Sequence, residues 1–174
     1  MKVESIVLGS IGTNCYIVTN EETKECFAVD MAECPQEYVN YIKNNGLEMK
    51  ALFLTHGHFD HATGAQEFAD EFGGIPIYAY EAEAETLKDP ELNASWMMGQ
   101  SLIFKADKFL KDEQEIDLAG FHIRVLFTPG HTPGGCCYYF PYQNTLFSGD
   151  SLFQTSIGRT DFPKGSASQL IRAI

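Results

Sequence analysis

Three histidines and one aspartate lie within the six positions from His56 to His61, in the order His-Gly-His-Phe-Asp-His. The segment directly follows residues 51–54, Ala-Leu-Phe-Leu, an apolar run that is typical of a buried strand. Open α/β architectures place their sites on loops at the carboxyl ends of strands. Imidazole nitrogens and carboxylates are the usual ligands of zinc and of non-haem iron. We therefore predict a metal site here, the alternative being a solvated polar loop.

Length and charge restrict the class of protein. A chain of 174 residues fits one domain, residues 1–174, that can bury a core. It has no run of about 18 apolar residues, so we expect no membrane span. The N-terminus lacks the apolar region of a secretory signal, which predicts a cytoplasmic protein. The formal net charge of −12 argues against nucleic acid as a partner, and the oligomeric state stays open.

An acidic residue also follows one of the β-rich runs near the N-terminus. Residues 3–8 and 15–19 are separated by a glycine-containing turn, which predicts a β-hairpin. A third run, residues 26–29, ends at Asp30. A carboxylate in this position can support a metal ligand from outside the ligand shell, or it can be a turn or cap residue. Both interpretations stay open.

Helical patterns fall between the predicted strands. Pro35 is expected to begin one helix, which Gly46 ends. A second helix is predicted over residues 62–72 and a short one over residues 81–88. The acidic residues of the short helix are expected to form a solvated face: Glu81, Glu83 and Glu85. Residues 92–106 have weak periodicity and are expected to form a mobile loop or helix over one side of the site.

Two further loops carry single candidate ligands directly after predicted strands. Residues 120–128 alternate apolar and polar side chains, which predicts a half-buried strand, and a turn carrying His131 follows it. Residues 145–147 form another predicted strand, followed by Asp150. Strands packed side by side would bring both side chains to the histidine segment at one edge. His122 lies within the first of these strands and is expected to be exposed.

The three loops resemble the metal-binding signatures of the metallo-β-lactamase-fold superfamily. The matching segments are HGHFDH at 56–61, TPGHTPG at 128–134 and SGDSLFQTSIGRTDFP at 148–163. The branch that the chain resembles most is the short, glyoxalase II-like (hydroxyacylglutathione hydrolase-like) enzymes. The resemblance implies an α/β fold, an αβ/βα sandwich of two mixed β-sheets with helices outside. Since both halves of the chain bring strands, a helix and a ligand-bearing loop, the sequence pattern is compatible with two packed sheets.

The resemblance also implies a set of metal ligands. In it, one metal is held by three histidines: His56, His58 and His131. Asp60 and His61 hold a second metal, and Asp150 bridges the two. Two zinc ions per chain are expected, with iron or manganese as alternatives. Asp60 is expected to be catalytic as well, because it would hold the attacking hydroxide in line.

The function that this resemblance implies is a metal-dependent hydrolase, a thioesterase. A metal-activated hydroxide would attack the carbonyl of a small-molecule thioester, such as a hydroxyacylglutathione. Arg159 is implied to lie near the substrate and pair with a carboxylate, unless it forms a structural ion pair within its loop. Full-length glyoxalase II enzymes have a lysine and a tyrosine in place of Arg159 and Asp161, so a glutathione-linked substrate is one option among several thioesters.

Two departures from the family pattern leave alternatives open. Residues 1–174 contain no counterpart of the C-terminal helical domain that grips glutathione in the long enzymes, or of the family's further histidine from a Gly-His-Gly turn. We expect the chain to be truncated before the family's last strand and helix; otherwise the second metal site is incomplete. One alternative is a persulfide dioxygenase-like enzyme with one iron on His56, His131 and Asp150. The other is a metal-binding scaffold without catalysis.

Overall fold

Ten strands and five α-helices make up the computed structural model, which describes residues 1–174. The strands are β1 (Lys2–Leu8), β2 (Thr13–Thr19), β3 (Glu25–Val29), β4 (Glu48–Phe53), β5 (Ile77–Tyr80), β6 (Lys108–Leu110), β7 (Glu115–Leu118), β8 (Phe121–Phe127), β9 (Cys136–Phe140) and β10 (Thr145–Phe147). The helices are α1 (Gln36–Asn44), α2 (Phe59–Ala62), α3 (Ala65–Glu71), α4 (Glu83–Thr86) and α5 (Ala167–Ala173). One turn of 3₁₀ helix covers Ser95–Met98. No helix of the protein has the length and apolar character that crossing a membrane requires.

The strands form two sheets. The first has six strands in the order β1-β2-β3-β4-β5-β6, antiparallel from β1 to β3 and parallel from β3 to β6. The second has four strands in the order β10-β9-β8-β7, all antiparallel. The predicted N-terminal hairpin is β1–β2, and the predicted strand over residues 120–128 is β8.

Alternate residues along a central strand point to opposite faces of the first sheet, and this divides the core into two layers. In β3, Phe27 and Val29 face the second sheet, whereas Cys26 and Ala28 belong to the layer beneath α1 and α3. Such strands are buried on both faces, which explains why they read as continuous apolar runs. Phe27 stacks on Phe140 of β9 with ring centroids 5.7 Å apart, and its burial contributes about 1.5–3 kcal/mol. The sheets therefore pack face to face, and the predicted sandwich is confirmed.

The helix predicted over residues 62–72 is divided into α2 and α3 at Gly64. A Cβ atom at Gly64 would lie 2.2 Å from the carbonyl carbon of Glu33, and the Gly64 amide donates to the Met31 carbonyl. The chain leaving β3 thus runs directly against this point. Only a glycine tolerates the close approach, and the helix is interrupted there.

The segment over residues 92–106 contains only the one 3₁₀ turn. Met98 and Leu102 line a groove together with Phe59 and Asp60. The segment therefore lies beside the histidine loop, on one side of the site, while its mobility stays a prediction.

Candidate metal centre

The histidine segment leaves β4 at the edge of the sandwich and is held there by the second sheet. The Cys136 amide donates to the Thr55 carbonyl at 2.9 Å, and the Tyr138 hydroxyl donates to the Leu54 carbonyl at 2.7 Å. Both donors belong to β9, the strand after the His131 loop. These bonds bring two of the three predicted loops to one place.

Three imidazoles form the first group of side chains. The ligand atoms of His56, His58 and His131 lie within 4.8 Å of one another, and all three residues are buried. His56 Nε2 lies 3.1 Å from His58 Nδ1. The structure thus brings together the three histidines that the family resemblance assigns to a first metal.

The ring of His131 has a defined orientation and an unpartnered nitrogen. Its Nδ1 lies 2.7 Å from the Arg159 carbonyl oxygen, and because a carbonyl only accepts, Nδ1 carries the proton. Nε2 is buried without a hydrogen-bond partner, and the Asp150 Oδ2 atom lies 3.4 Å away. A buried lone pair aimed at neighbouring imidazoles fits a divalent metal.

The second group shares one histidine with the first. Ligand atoms of His56, His61 and Asp150 also lie within 4.8 Å of one another. His61 Nε2 is 3.4 Å from Asp150 Oδ1 and 3.6 Å from Asp60 Oδ2. Asp60 lies at the margin of this group, where its Oδ2 accepts a hydrogen bond of 2.8 Å from the Thr13 hydroxyl.

The pKa values of the three histidines of the first group and the pKa of His61 are shifted in opposite directions. Burial, together with the neighbouring imidazoles, lowers the pKa of His56 and of His58 well below the usual value, and burial lowers the pKa of His131. Burial also opposes a charge on His61, but nearby carboxylates, Asp30 first among them, hold its pKa well above the usual value. Burial alone would raise the pKa of Asp150, yet His61 and His131 lower it. Neutral imidazoles are the form that ligates a metal.

Asp30 lies directly behind His61. Its Oδ2 is 2.9 Å from His61 Nδ1 and accepts from the Thr55 hydroxyl at 2.8 Å. Its Oδ1 accepts from the Thr55 amide at 2.8 Å. The residue has a positive φ of 55°, so it also turns the chain at the end of β3. Its position orients His61 so that Nε2 faces Asp60 and Asp150.

Arg159 forms the loop ion pair. Its Nε and Nη2 atoms donate to the two carboxylate oxygens of Asp161 at 2.7 Å each, and the guanidinium lies 4.2 Å from the centre of the Phe162 ring. Its backbone carbonyl orients His131. Contact between Arg159 and a substrate stays a prediction.

A cleft of about 400 Å³ opens beside the second group. It lies between the β1–β2 turn and the loop after β10, and its lining includes Asp60, His61 and Asp150. Tyr16 and Phe153 contribute apolar surface, and no lysine or arginine is among the lining residues. The cleft can therefore admit a small molecule to the candidate ligands.

One functional candidate was missed by sequence reasoning. Glu83 was predicted on a solvated face with Glu81 and Glu85, but its exposed fraction is 0%. Its carboxylate accepts from the amides of Gly57 and Gly134 at 2.6 Å each. The solvated-face prediction is wrong for Glu83, because packing between the two ligand loops decides its burial. In the sequence, the feature that relates to this contact is the glycine that each loop motif places there, Gly57 and Gly134.

Comparison with known proteins identifies relatives over the whole chain. Residues 8–174 match the family described as the metallo-beta-lactamase superfamily. The "probable metallo-hydrolase YqgX" of Bacillus subtilis is 37% identical, over 100% of this chain and 82% of the relative. "Hydroxyacylglutathione hydrolase GloC" of Haemophilus influenzae is 33% identical, over 100% of this chain and 82% of the relative.

Two solved structures are similar to this chain over nearly its whole length. The crystal structure of BLEG-1 B3 metallo-beta-lactamase superposes with a TM-score of 0.91 at 37% identity, covering 99% of this chain and 83% of the other. The structure of TTHA1623 in a di-iron-bound form gives a TM-score of 0.81 at 28% identity, covering 98% of this chain and 83% of the other.

Proposed function

Because the chain belongs to the metallo-beta-lactamase superfamily, we propose that it is a metallo-hydrolase whose substrate is a small thioester. One observation carries the proposal. The His131 ring donates through Nδ1 to the Arg159 carbonyl, which leaves a buried and unpartnered Nε2 aimed at the other imidazoles. That is the arrangement of a metal ligand held by an outer hydrogen bond.

We infer two sets of ligands for divalent metal. His56, His58 and His131 would hold the first ion, since their atoms converge and burial lowers the pKa of each ring, which favours the neutral form that ligates a metal. Asp60 and His61 would hold the second, with Asp150 shared between the sets. Nitrogen and oxygen donors suit zinc, and the di-iron form of TTHA1623 supports iron as the alternative.

The residues around these ligands define the chemistry. A divalent metal in such a site supplies a Lewis acid and lowers the pKa of water towards neutrality. Asp60, fixed by the Thr13 hydroxyl, would orient a water molecule in the cleft. Asp30 would keep His61 in one tautomer through its contact with Nδ1. The cleft would receive the acyl group and the thiol portion of the substrate.

Hydroxyacylglutathione is one candidate thioester. The similarity to GloC of H. influenzae supports it. However, the cleft lining includes no lysine or arginine, and Arg159 is paired with Asp161. The carboxylates of glutathione would need Arg159 to leave that pair, so we expect thioesters of small neutral thiols to be hydrolysed as well.

The test combines metal analysis with a thioester assay. Elemental analysis of the purified protein is expected to show zinc, and S-lactoylglutathione together with a neutral thioester would be followed with a thiol reagent. Release of thiol that depends on the metal supports the proposal. One iron per chain with oxygen uptake on glutathione persulfide would replace it with a dioxygenase. Faster hydrolysis of a β-lactam than of any thioester would also overturn it.

A further inference from the structure

Helix α4 is a single turn that lies between two of the ligand loops. Glu83 begins it, and its side chain is fully buried. Oε2 accepts from the amide of Gly57, between His56 and His58, at 2.6 Å. Oε1 accepts from the amide of Gly134, three residues after His131, at 2.6 Å. One carboxylate thus joins the backbones of two loops.

Both loops approach Glu83 so closely that a side chain would not fit. A Cβ atom at Gly57 would lie 2.7 Å from Glu83 Oε2, and one at Gly134 would lie 2.4 Å from the Glu83 backbone nitrogen. The two glycines therefore allow the contacts with the carboxylate. Gly57 belongs to the HGHFDH motif at 56–61, and Gly134 is the last residue of the TPGHTPG motif at 128–134.

The chemistry of the contact favours a carboxylate over any other side chain. A backbone amide can only donate, so each loop needs an acceptor at this point. The two oxygens of a carboxylate supply two acceptors on one rigid group. Leaving either buried amide without a partner would be costly. Such an arrangement is stable only while both loops keep their positions.

We propose that Glu83 is a positioning residue of the metal centre, whose buried carboxylate sets the spacing between His56 and His58 on one loop and His131 on the other. The inference rests on the proposed metal site. Without this carboxylate the loops would lose a fixed spacing, and metal binding would have to order them. Outer contacts of this kind are typically worth about tenfold to a hundredfold in metal affinity.

The main test compares Glu83→Gln with Glu81→Gln. Glutamine has nearly the same shape, but its amide group offers one acceptor and turns a donor towards the second backbone amide. Glu81 is exposed, so its variant is the matched control. Zinc affinity would be measured by competition with a chromophoric chelator, and the ligand field by the visible absorption of the Co²⁺-loaded protein.

We expect Glu83→Gln to bind zinc about tenfold to a hundredfold more weakly, with an altered Co²⁺ spectrum, and Glu81→Gln to match the unaltered protein. A lower melting temperature of the metal-free variant with unchanged zinc affinity and an unchanged spectrum would overturn the inference. In that case Glu83 would serve folding alone.

A second measurement tests the inference even if Glu83→Gln does not fold. In the unaltered protein, amide hydrogen exchange followed by NMR is expected to show protection of Gly57 and Gly134 without metal. Protection in the metal-free protein is the result that reports on Glu83, because the proposed zinc ligands lie on both loops and zinc itself would slow exchange at both amides. Unprotected exchange at either amide of the metal-free protein would contradict the inference.

These measurements use zinc or Co²⁺ and no substrate. A protein that binds zinc as expected and loses affinity in Glu83→Gln, but hydrolyses no thioester, would overturn the proposed substrate and support the role of Glu83. A protein that hydrolyses thioesters and binds zinc equally well in both variants would overturn only the role of Glu83.

Discussion

The two halves of the candidate metal centre differ in what holds their side chains in place. His56, His58 and His131 are buried. The backbone amides of their two loops donate to the Glu83 carboxylate, and the His131 ring donates to the Arg159 carbonyl. The other half opens onto the cleft, and its ligand side chains are held by contacts with other side chains.

In that second half the carboxylates stay partly in contact with solvent. Asp60 and Asp150 have side-chain exposures of 17% and 31%. Thr13 fixes Asp60, and Asp30 fixes His61. We therefore predict different roles for the two halves. The buried half, with His56, His58 and His131, retains a metal, and the open half meets the substrate. The following variants test these roles.

The largest effect is expected from His131→Ala. The variant removes one of three converging nitrogens, and one ligand of a structural-strength zinc site is worth a few kcal/mol, or about a hundredfold or more in affinity. Thioester hydrolysis should fall with it. His122→Ala is the control, because His122 is partly exposed on β8 and pairs with Asp117. Equal zinc affinity in both variants, measured by chelator competition, would remove His131 from the ligand set.

Asp30→Asn is expected to weaken the second half more than the first. It removes the charge that keeps His61 oriented, whereas it reaches His56 only through the Thr55 hydroxyl, which lies 3.1 Å from His56 Nδ1. Affinity for the second metal equivalent should fall about tenfold to a hundredfold, while affinity for the first equivalent changes less. Calorimetric titration with zinc resolves the two equivalents. Equal weakening of both would show that the halves are not independent.

Thr13→Val should affect turnover more than metal retention. The hydroxyl donates a 2.8 Å hydrogen bond to Asp60, and its loss costs about 1 kcal/mol, or roughly fivefold in kcat. Zinc content by elemental analysis should be unchanged. A variant with normal kcat and lower zinc content would place Thr13 in metal retention instead.

The smallest effect is expected from Arg159→Gln. The guanidinium is largely exposed, with its ion pair to Asp161 in solvent, so the melting temperature should not change measurably. If Arg159 meets a substrate carboxylate, KM for S-lactoylglutathione should rise about threefold to tenfold, with KM for a neutral thioester unaltered. A matching rise for both substrates would assign Arg159 to the loop alone.

Much of the fold could be predicted from local patterns. The alternation over residues 120–128 predicts β8, in which Phe121, Ile123 and Val125 are buried. Pro35 and Gly46 bracket α1 as expected. The break at Gly64 could not be predicted, because it comes from the backbone of Glu33 on a different segment. Close approach between segments leaves no periodic signal in either one.

For the candidate site, too, one part could be predicted from the sequence and another part could not. The types of ligand and their places after strands are properties of short segments, so His56–His61, His131 and Asp150 could be selected from the amino-acid sequence. Which residues hold them in position depended on the tertiary structure. Glu83 reaches Gly57 across 26 residues and Gly134 across 51. Its burial follows from the meeting of two loops, and a run of three alternating glutamates contains no information about that meeting.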